Sequence, residues 1–174
     1  ENAPPGGKFD VLADLASDLR AEGHRLLVFS QFLEVLDRAR EALEGRGLTC
    51  ERLDGTMAAA ERARSVASFQ AGLADVFLLS LKAGGVGLNL TSADYIVHLD
   101  PWWNPAVEDQ ASDRAHRIGQ TRPVTVVRLV SEGSIEEKVL ALHAQKREMY
   151  EAIVGSADGK GSFDSQLLLD LLKA

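Results

Sequence analysis

Three side chains between residues 110 and 117 have the types and spacing to hold an anion. Gln110, Arg114 and Arg117 follow the pattern Q-x-x-x-R-x-x-R. On a helix, positions three and four apart share a face, so two guanidinium forks and one amide can point the same way. The planar fork of arginine matches phosphate oxygens in pairs. Fixed cations of this kind stabilise a triphosphate whose charge rises in the transition state. Spacing alone does not choose that role. Glu108, Asp109 and Asp113 stand beside the arginines, and solvated arginines paired with acids are the commoner outcome on an exposed helix.

Other polar residues follow short apolar runs. The stretch S-L-K-A-G-G-V-G-L-N-L, residues 80–90, begins at the end of V-F-L-L-S. Its glycines allow close backbone approach to a phosphate, successive amides can form an anion nest, and Lys82 adds a point charge. A strand-to-helix turn needing positive φ is the equal alternative. Ser30-Gln31 and Gly55-Thr56 can each offer a hydroxyl, an amide or a backbone N–H to a phosphate. Capping of the helices that follow them is the competing use. Asp100-Pro101-Trp102-Trp103-Asn104-Pro105 places two large aromatics in a stiff turn. One is expected in the core. The other caps the sheet edge or lies against a base or sugar, where stacking contributes roughly 1–3 kcal/mol.

These residues need a scaffold, and the periodicity supplies one. Residues 8–22 read as a helix through Leu12, Leu15, Ala16 and Leu19, with Gly23 as its stop. Residues 25–30 are a continuous apolar run, hence a buried parallel strand. Helical period returns over 32–44 through Phe32, Leu36, Ala39 and Leu43, closed by Gly45 and Gly47. Strand 48–53, the turn Asp54-Gly55-Thr56 and helix 58–70 follow. The run 76–80 is the most apolar strand and is expected at the centre of the sheet. Further strands are expected over 95–99 and 124–130. A long helix is expected over 134–154, with Ser134 and Glu137 as a capping box. Residues 155–162 read as a flexible linker, and 165–174 as a short leucine-rich amphipathic helix. Strand and helix alternate on short links, which predicts a parallel sheet with helices on both faces. Ligand sites in such sheets lie beyond the carboxyl ends of the strands.

Composition sets bounds. The chain has 174 residues, 45% of them apolar and 26% charged, ordinary values for one domain with a core. The single cysteine excludes an internal disulfide framework and a cysteine-built metal site. Four scattered histidines show no ligand spacing, and no apolar run reaches the ~20 residues that span a bilayer. A net charge of -7 argues against a general polyanion binder, though a local basic stripe is enough for phosphate contacts. The phosphate-loop pattern G-x-x-x-x-G-K-[ST] does not occur, and no acidic pair follows an apolar strand as a magnesium site requires. Arginines suited to a transition state thus occur without the groups that hold the nucleotide's metal. That is half of an active site.

Four runs carry a specific resemblance: L-L-V-F-S-Q-F (26–32), R-L-D-G-T (52–56), L-L-S-L-K-A-G-G-V-G-L-N-L (78–90) and D-P-W-W-N-P-A-V-E-D-Q-A-S-D-R-A-H-R-I-G-Q (100–120). In this order they resemble the carboxyl-terminal helicase lobe of Swi/Snf-type superfamily-two ATPases, over about residues 8–154. The W-W-N-P and R-I-G-Q-T-R-P-V sequences are similar to bacterial and archaeal members, which implies a cytoplasmic, nucleoid-associated setting. The resemblance implies a RecA-like three-layer α/β sandwich, P-loop NTPase-like without the P-loop. It implies a lobe that faces an amino-terminal RecA-like lobe of the same polypeptide across a cleft for ATP and Mg2+, with the metal held mainly by the other lobe. By motif position, Arg114 and Arg117 would be arginine fingers supported by Gln110. Gly87 and Asn89 would approach the nucleotide. Ser30, Gln31, Gly55, Thr56, Ser80, Lys82, Ala83, Gly84 and Gly85 would track the phosphates of one DNA strand, and Trp103 would touch the minor groove or backbone. Leu81 stands where many relatives carry threonine, which removes a hydroxyl. Double-stranded DNA is the implied partner, with a DNA-bound complex such as RNA polymerase beyond it. An RNA-directed helicase lobe and a non-catalytic RecA-like scaffold are the alternatives. Residues 1–7 read as a linker, 8–154 as the lobe, and 155–174 as linker and terminal helix.

Overall fold

The computed structural model describes residues 7–81, 90–101, 122–142 and 144. Three helices and five strands are assigned in the order α1 (Lys8–Ala21), β1 (Leu26–Ser30), α2 (Leu33–Gly45), β2 (Cys50–Leu53), α3 (Ala59–Gln70), β3 (Val76–Ser80), β4 (Tyr95–His98) and β5 (Thr125–Arg128). The strands form one parallel sheet ordered β2-β3-β1-β4-β5. Residues 135–142 are helical as well. This is the α/β, RecA-like sandwich expected from the sequence.

Strand periodicity divides the core into two layers. Leu26 and Val28 of β1, Val76 and Leu78 of β3, and Val97 of β4 pack with Leu12, Ala16 and Leu19 of α1 and with Leu36, Ala39 and Leu43 of α2. The alternate residues Leu27, Phe29, Phe77, Leu79 and Ile96 turn to the other face, where Phe69 of α3 meets them. Strands covered on both faces must be apolar at every position, which is why β1 and β3 lack alternation. Each helix closes the same way. After α2, Gly47 takes φ +75°, its N–H bonds to Glu44 O, and Leu48 N–H reaches back to Leu43 O at 3.1 Å. Gly23 and Gly72 repeat this closure after α1 and α3. Gly45, also read as a stop, is the last residue of α2 itself.

Four expectations need correction. The middle strand is β1, not Val76–Ser80, which lies between β1 and β2. Both strands are wholly buried, so apolarity could not rank them. Phe32 does not belong to the buried stripe of α2. It precedes the first helical residue in extended conformation and is 54% exposed. Four strands are shorter than expected, β1 and β4 by one residue each and the strands at Cys50–Leu53 and Thr125–Arg128 by more. Ser134 caps the following helix in modified form. Its hydroxyl accepts the Glu136 N–H at 3.1 Å, while Glu137 accepts from Gly133 rather than from Ser134.

The amino-terminal edge of the sheet is tied by Asp94. His24 Nδ1 lies 2.7 Å from its carboxylate, and Arg122 Nη1 donates at 3.2 Å. Cys50 sits half-buried on the edge strand β2, where burial pushes its thiol up to about 12.

The two phenylalanines flanking Ser30 and Gln31 should separate sharply in denaturant titrations. Phe29 is fully buried and stacks on His98 at 5.5 Å, and Phe29→Ala is expected to cost about 3–5 kcal/mol. Phe32→Ala should change stability by less than about 1 kcal/mol.

Candidate nucleic-acid and nucleotide edge

Because all five strands are parallel, their carboxyl ends share one edge of the sheet. Register aligns the groups there. Ser30 pairs with Ser80, and Leu53 pairs with Leu79, so Asp54 follows on the same level as Ser80. Leu99 N–H bonds to Phe29 O at 3.0 Å, which brings Asp100 beside the end of β1. Ser30, Gln31, Gly55, Thr56 and Ser80 are therefore gathered at one edge, as the strand pattern implies.

Their side chains are not equally open. Ser30 is fully buried. Its hydroxyl donates to Asp100 Oδ1 at 2.5 Å and accepts the Phe32 N–H at 3.0 Å. Gln31 is half-buried and donates its backbone N–H to Asp100 Oδ2 at 2.9 Å. Ser80 is also buried. Gly55 and Thr56 are exposed. The Thr56 N–H and hydroxyl both donate to Asp54 Oδ1, at 2.8 and 2.5 Å, an Asx turn that fixes the loop before α3. So the Ser30 hydroxyl is committed to the fold, while the Gly55-Thr56 loop faces outward.

Two buried carboxylates organise this edge, and neither was singled out as a site residue from the sequence. Their signal was an acid directly after an apolar strand. Burial pushes the Asp54 carboxyl up, but the Thr56 hydroxyl and N–H and the Arg52 guanidinium outweigh it and hold it below the usual range. At Asp100 burial wins. Its carboxyl stands above the usual range despite bonds from Ser30 and Gln31. Arg62 and Lys8 were missed too. Arg62 Nε donates to Met57 O at 3.0 Å and Nη2 to Gly55 O at 3.4 Å, so it braces the exposed loop from the first turn of α3. Lys8 Nζ bonds to Leu99 O at 2.7 Å and to Glu136 Oε2 at 2.5 Å, and the same Glu136 oxygen accepts the Ser131 N–H. This joins the start of α1, the end of β4 and the turn before residue 135.

Gln110, Arg114, Arg117, Gly87, Asn89, Lys82, Ala83, Gly84, Gly85 and Trp103 lie outside the described residues, as do residues 145–174. Among the described residues, no group of three or more His, Cys, Asp or Glu is arranged to hold a metal ion.

Asp54 gives this edge a predictable pH dependence. Its folded value is depressed, so its stabilisation is present above the unfolded carboxylate value of ~3.9. That stabilisation is lost as pH falls through the lower folded value. Asp54→Asn should cost about 1–3 kcal/mol at pH 7, and the gap from wild type should close below about pH 4. Urea midpoints measured from pH 7 to pH 3 check this.

Known proteins are similar to this chain in sequence and in fold. A family described as "Helicase conserved C-terminal domain" matches residues 7–119. The chain is 44% identical over 156 residues to the "Chromatin-remodeling ATPase INO80" of Drosophila melanogaster, covering 88% of this chain. It is 43% identical to the protein of that name in Homo sapiens, again over 88% of the chain. It spans 10% of the length of each of these relatives. A solved structure, the "C-terminal part of Fun30 ATPase domain", superposes with a TM-score of 0.75 at 36% identity, over 79% of this chain and 45% of that one.

Proposed function

Because this chain belongs to the helicase conserved C-terminal domain family, we propose that it is the second motor lobe of an ATP-dependent double-stranded DNA translocase of the Swi/Snf type. The observation that carries this reading is the common carboxyl edge. It places Ser30, Gln31, Gly55, Thr56 and Ser80 on neighbouring strand ends in a chain similar to chromatin-remodelling ATPases.

On this reading Gln31 and the exposed Gly55-Thr56 loop, braced by Arg62, meet the backbone of one DNA strand. Lys82, Ala83, Gly84 and Gly85 extend that track, and Trp103 lies toward the minor groove. Backbone contacts of this kind position the protein without reading sequence. Gln110, Arg114 and Arg117 face the nucleotide, with Gly87 and Asn89 beside it. ATP supplies the phosphoanhydride bond whose hydrolysis drives the cycle. The arginines neutralise charge that builds on the transferring phosphate, and the lobes step as the cleft opens and closes. The described residues do not fit magnesium. The carboxylates of Asp54 and Asp100 are occupied by Thr56, Arg52, Ser30 and Gln31. On this reading the metal belongs to the other RecA-like lobe. The W-W-N-P sequence favours a bacterial or archaeal member, acting at the nucleoid on a DNA-bound complex such as RNA polymerase. The two chromatin-remodelling relatives named above are from Drosophila melanogaster and Homo sapiens.

Arg117→Ala in the full-length protein should reduce DNA-stimulated ATP hydrolysis on the order of 10³-fold. Activity near wild type would remove the finger assignment. The 174-residue lobe alone should hydrolyse no ATP above background, with or without DNA. Stimulation of the full-length ATPase by RNA but not by duplex DNA would favour the RNA-directed alternative. A conformation indifferent to both ATP and DNA would favour the scaffold.

A further inference from the structure

The carboxylate of Asp100 ties the end of β1 to the segment after β4, beside the backbone bond from Leu99 N–H to Phe29 O. Its Oδ1 accepts from the Ser30 hydroxyl at 2.5 Å and its Oδ2 from the Gln31 N–H at 2.9 Å, across 70 and 69 residues of chain. Asp100 is 6% exposed, and Pro101 after it is buried. The Ser30 hydroxyl passes the connection on by accepting the Phe32 N–H, so the turn into α2 is held at three successive residues. Lys8 fixes the other side of the same junction, through the Leu99 carbonyl immediately before Asp100.

We propose that Asp100 is a positioning residue for DNA. By clamping the Ser30-Gln31 turn through both of its oxygens, it holds Gln31 where that residue meets the DNA backbone. The proposal rests on the DNA-translocase reading above. The carboxylate satisfies the buried Ser30 hydroxyl and the Gln31 N–H, yet its own charge is disfavoured here. Burial outweighs its hydrogen bonds and raises its proton affinity, so the ionised form burdens the fold at neutral pH. The linkage runs opposite to that of Asp54. Stability is lost as pH rises from the ordinary carboxylate value toward the raised folded one. An acid retained at such a cost is explained by its geometry. A single two-oxygen acceptor fixes both donors, whereas an amide presents one oxygen and one donor to the same pair.

The test uses the full-length protein and linear duplex DNA. ATPase rate is measured against DNA concentration, giving kcat at saturation and the DNA concentration for half-maximal stimulation. Asp100→Asn should raise the half-saturating concentration about 3- to 10-fold, the loss expected for one misplaced backbone contact. Its kcat at saturation should stay within about twofold. Ser30→Ala, which removes one of the two donors but leaves the Gln31 N–H, should shift the same quantity in the same direction by less. The Asp100→Asn, Gln31→Ala double variant should show a shift smaller than the product of the single shifts, because both act on one contact. If Asp100→Asn lowers kcat or the melting temperature but leaves half-saturation unchanged, the residue is only structural and the proposal fails. If Asp100→Asn does not fold, Ser30→Ala decides alone, and an unchanged half-saturation there overturns the proposal. Wild-type protein that DNA does not stimulate at all would instead overturn the translocase reading.

Discussion

Burial of β1 on both faces along its whole length is the constraint from which the rest of this lobe follows. No residue from Leu26 to Ser30 reaches solvent to any useful extent. A strand so enclosed has nowhere to place a polar group except at its end. The chain puts Ser30 there, and the serine must find its partners inside the protein. Asp100 is that partner. The polar edge of the sheet is thus a by-product of an apolar middle, and α1, α2 and α3 exist to keep that middle dry.

Asp54 and Asp100 solve the same local problem with opposite energetic signs. Asp54 directly follows β2 and binds donors in its own turn, while Asp100 lies two residues past β4 and binds donors at the end of β1. Asp54 receives two donors from Thr56 and one from Arg52, and its neighbours more than offset burial. Asp100 receives neutral donors from Ser30 and Gln31 in a deeper place, and burial dominates. The difference is a guanidinium in contact with one carboxylate and none bonded to the other. One junction is therefore a stabilising turn. The other holds a shape at some cost.

Much of the architecture was legible in the residues, because it rests on period and punctuation. The continuous runs at 26–30 and 76–80 became strands, and glycines 23 and 47 end helices where the spacing places their stops. Strand order was not legible. β1 and β3 carry equally apolar sequences, and only pairing decides which lies in the middle. Phe32 misled because helical spacing continues through a residue that the backbone has not yet made helical. At the polar edge, Ser30, Gln31, Gly55 and Thr56 are recognisable in the sequence by their position after strands. The role of Asp100 carried no such signal because its partners Ser30 and Gln31 are set by tertiary approach, whereas Asp54 binds Thr56 within one local turn. Arg62 was hidden for a similar reason. Its contact with the Gly55-Met57 loop depends on how α3 leaves the turn.

Cys50 has a practical consequence for experiments on this lobe. Nucleophilic attack needs the thiolate, and burial together with the nearby Glu44 carboxylate keeps this sulfur protonated far above neutral pH. Maleimide dyes and spin labels should therefore pass it by at pH 7. A new cysteine at an open position such as Leu73, which is 70% exposed in the link between α3 and β3, would take a label selectively with the natural thiol left in place. Distances from that site to a second probe could then be followed in a chain that needed no cysteine removed.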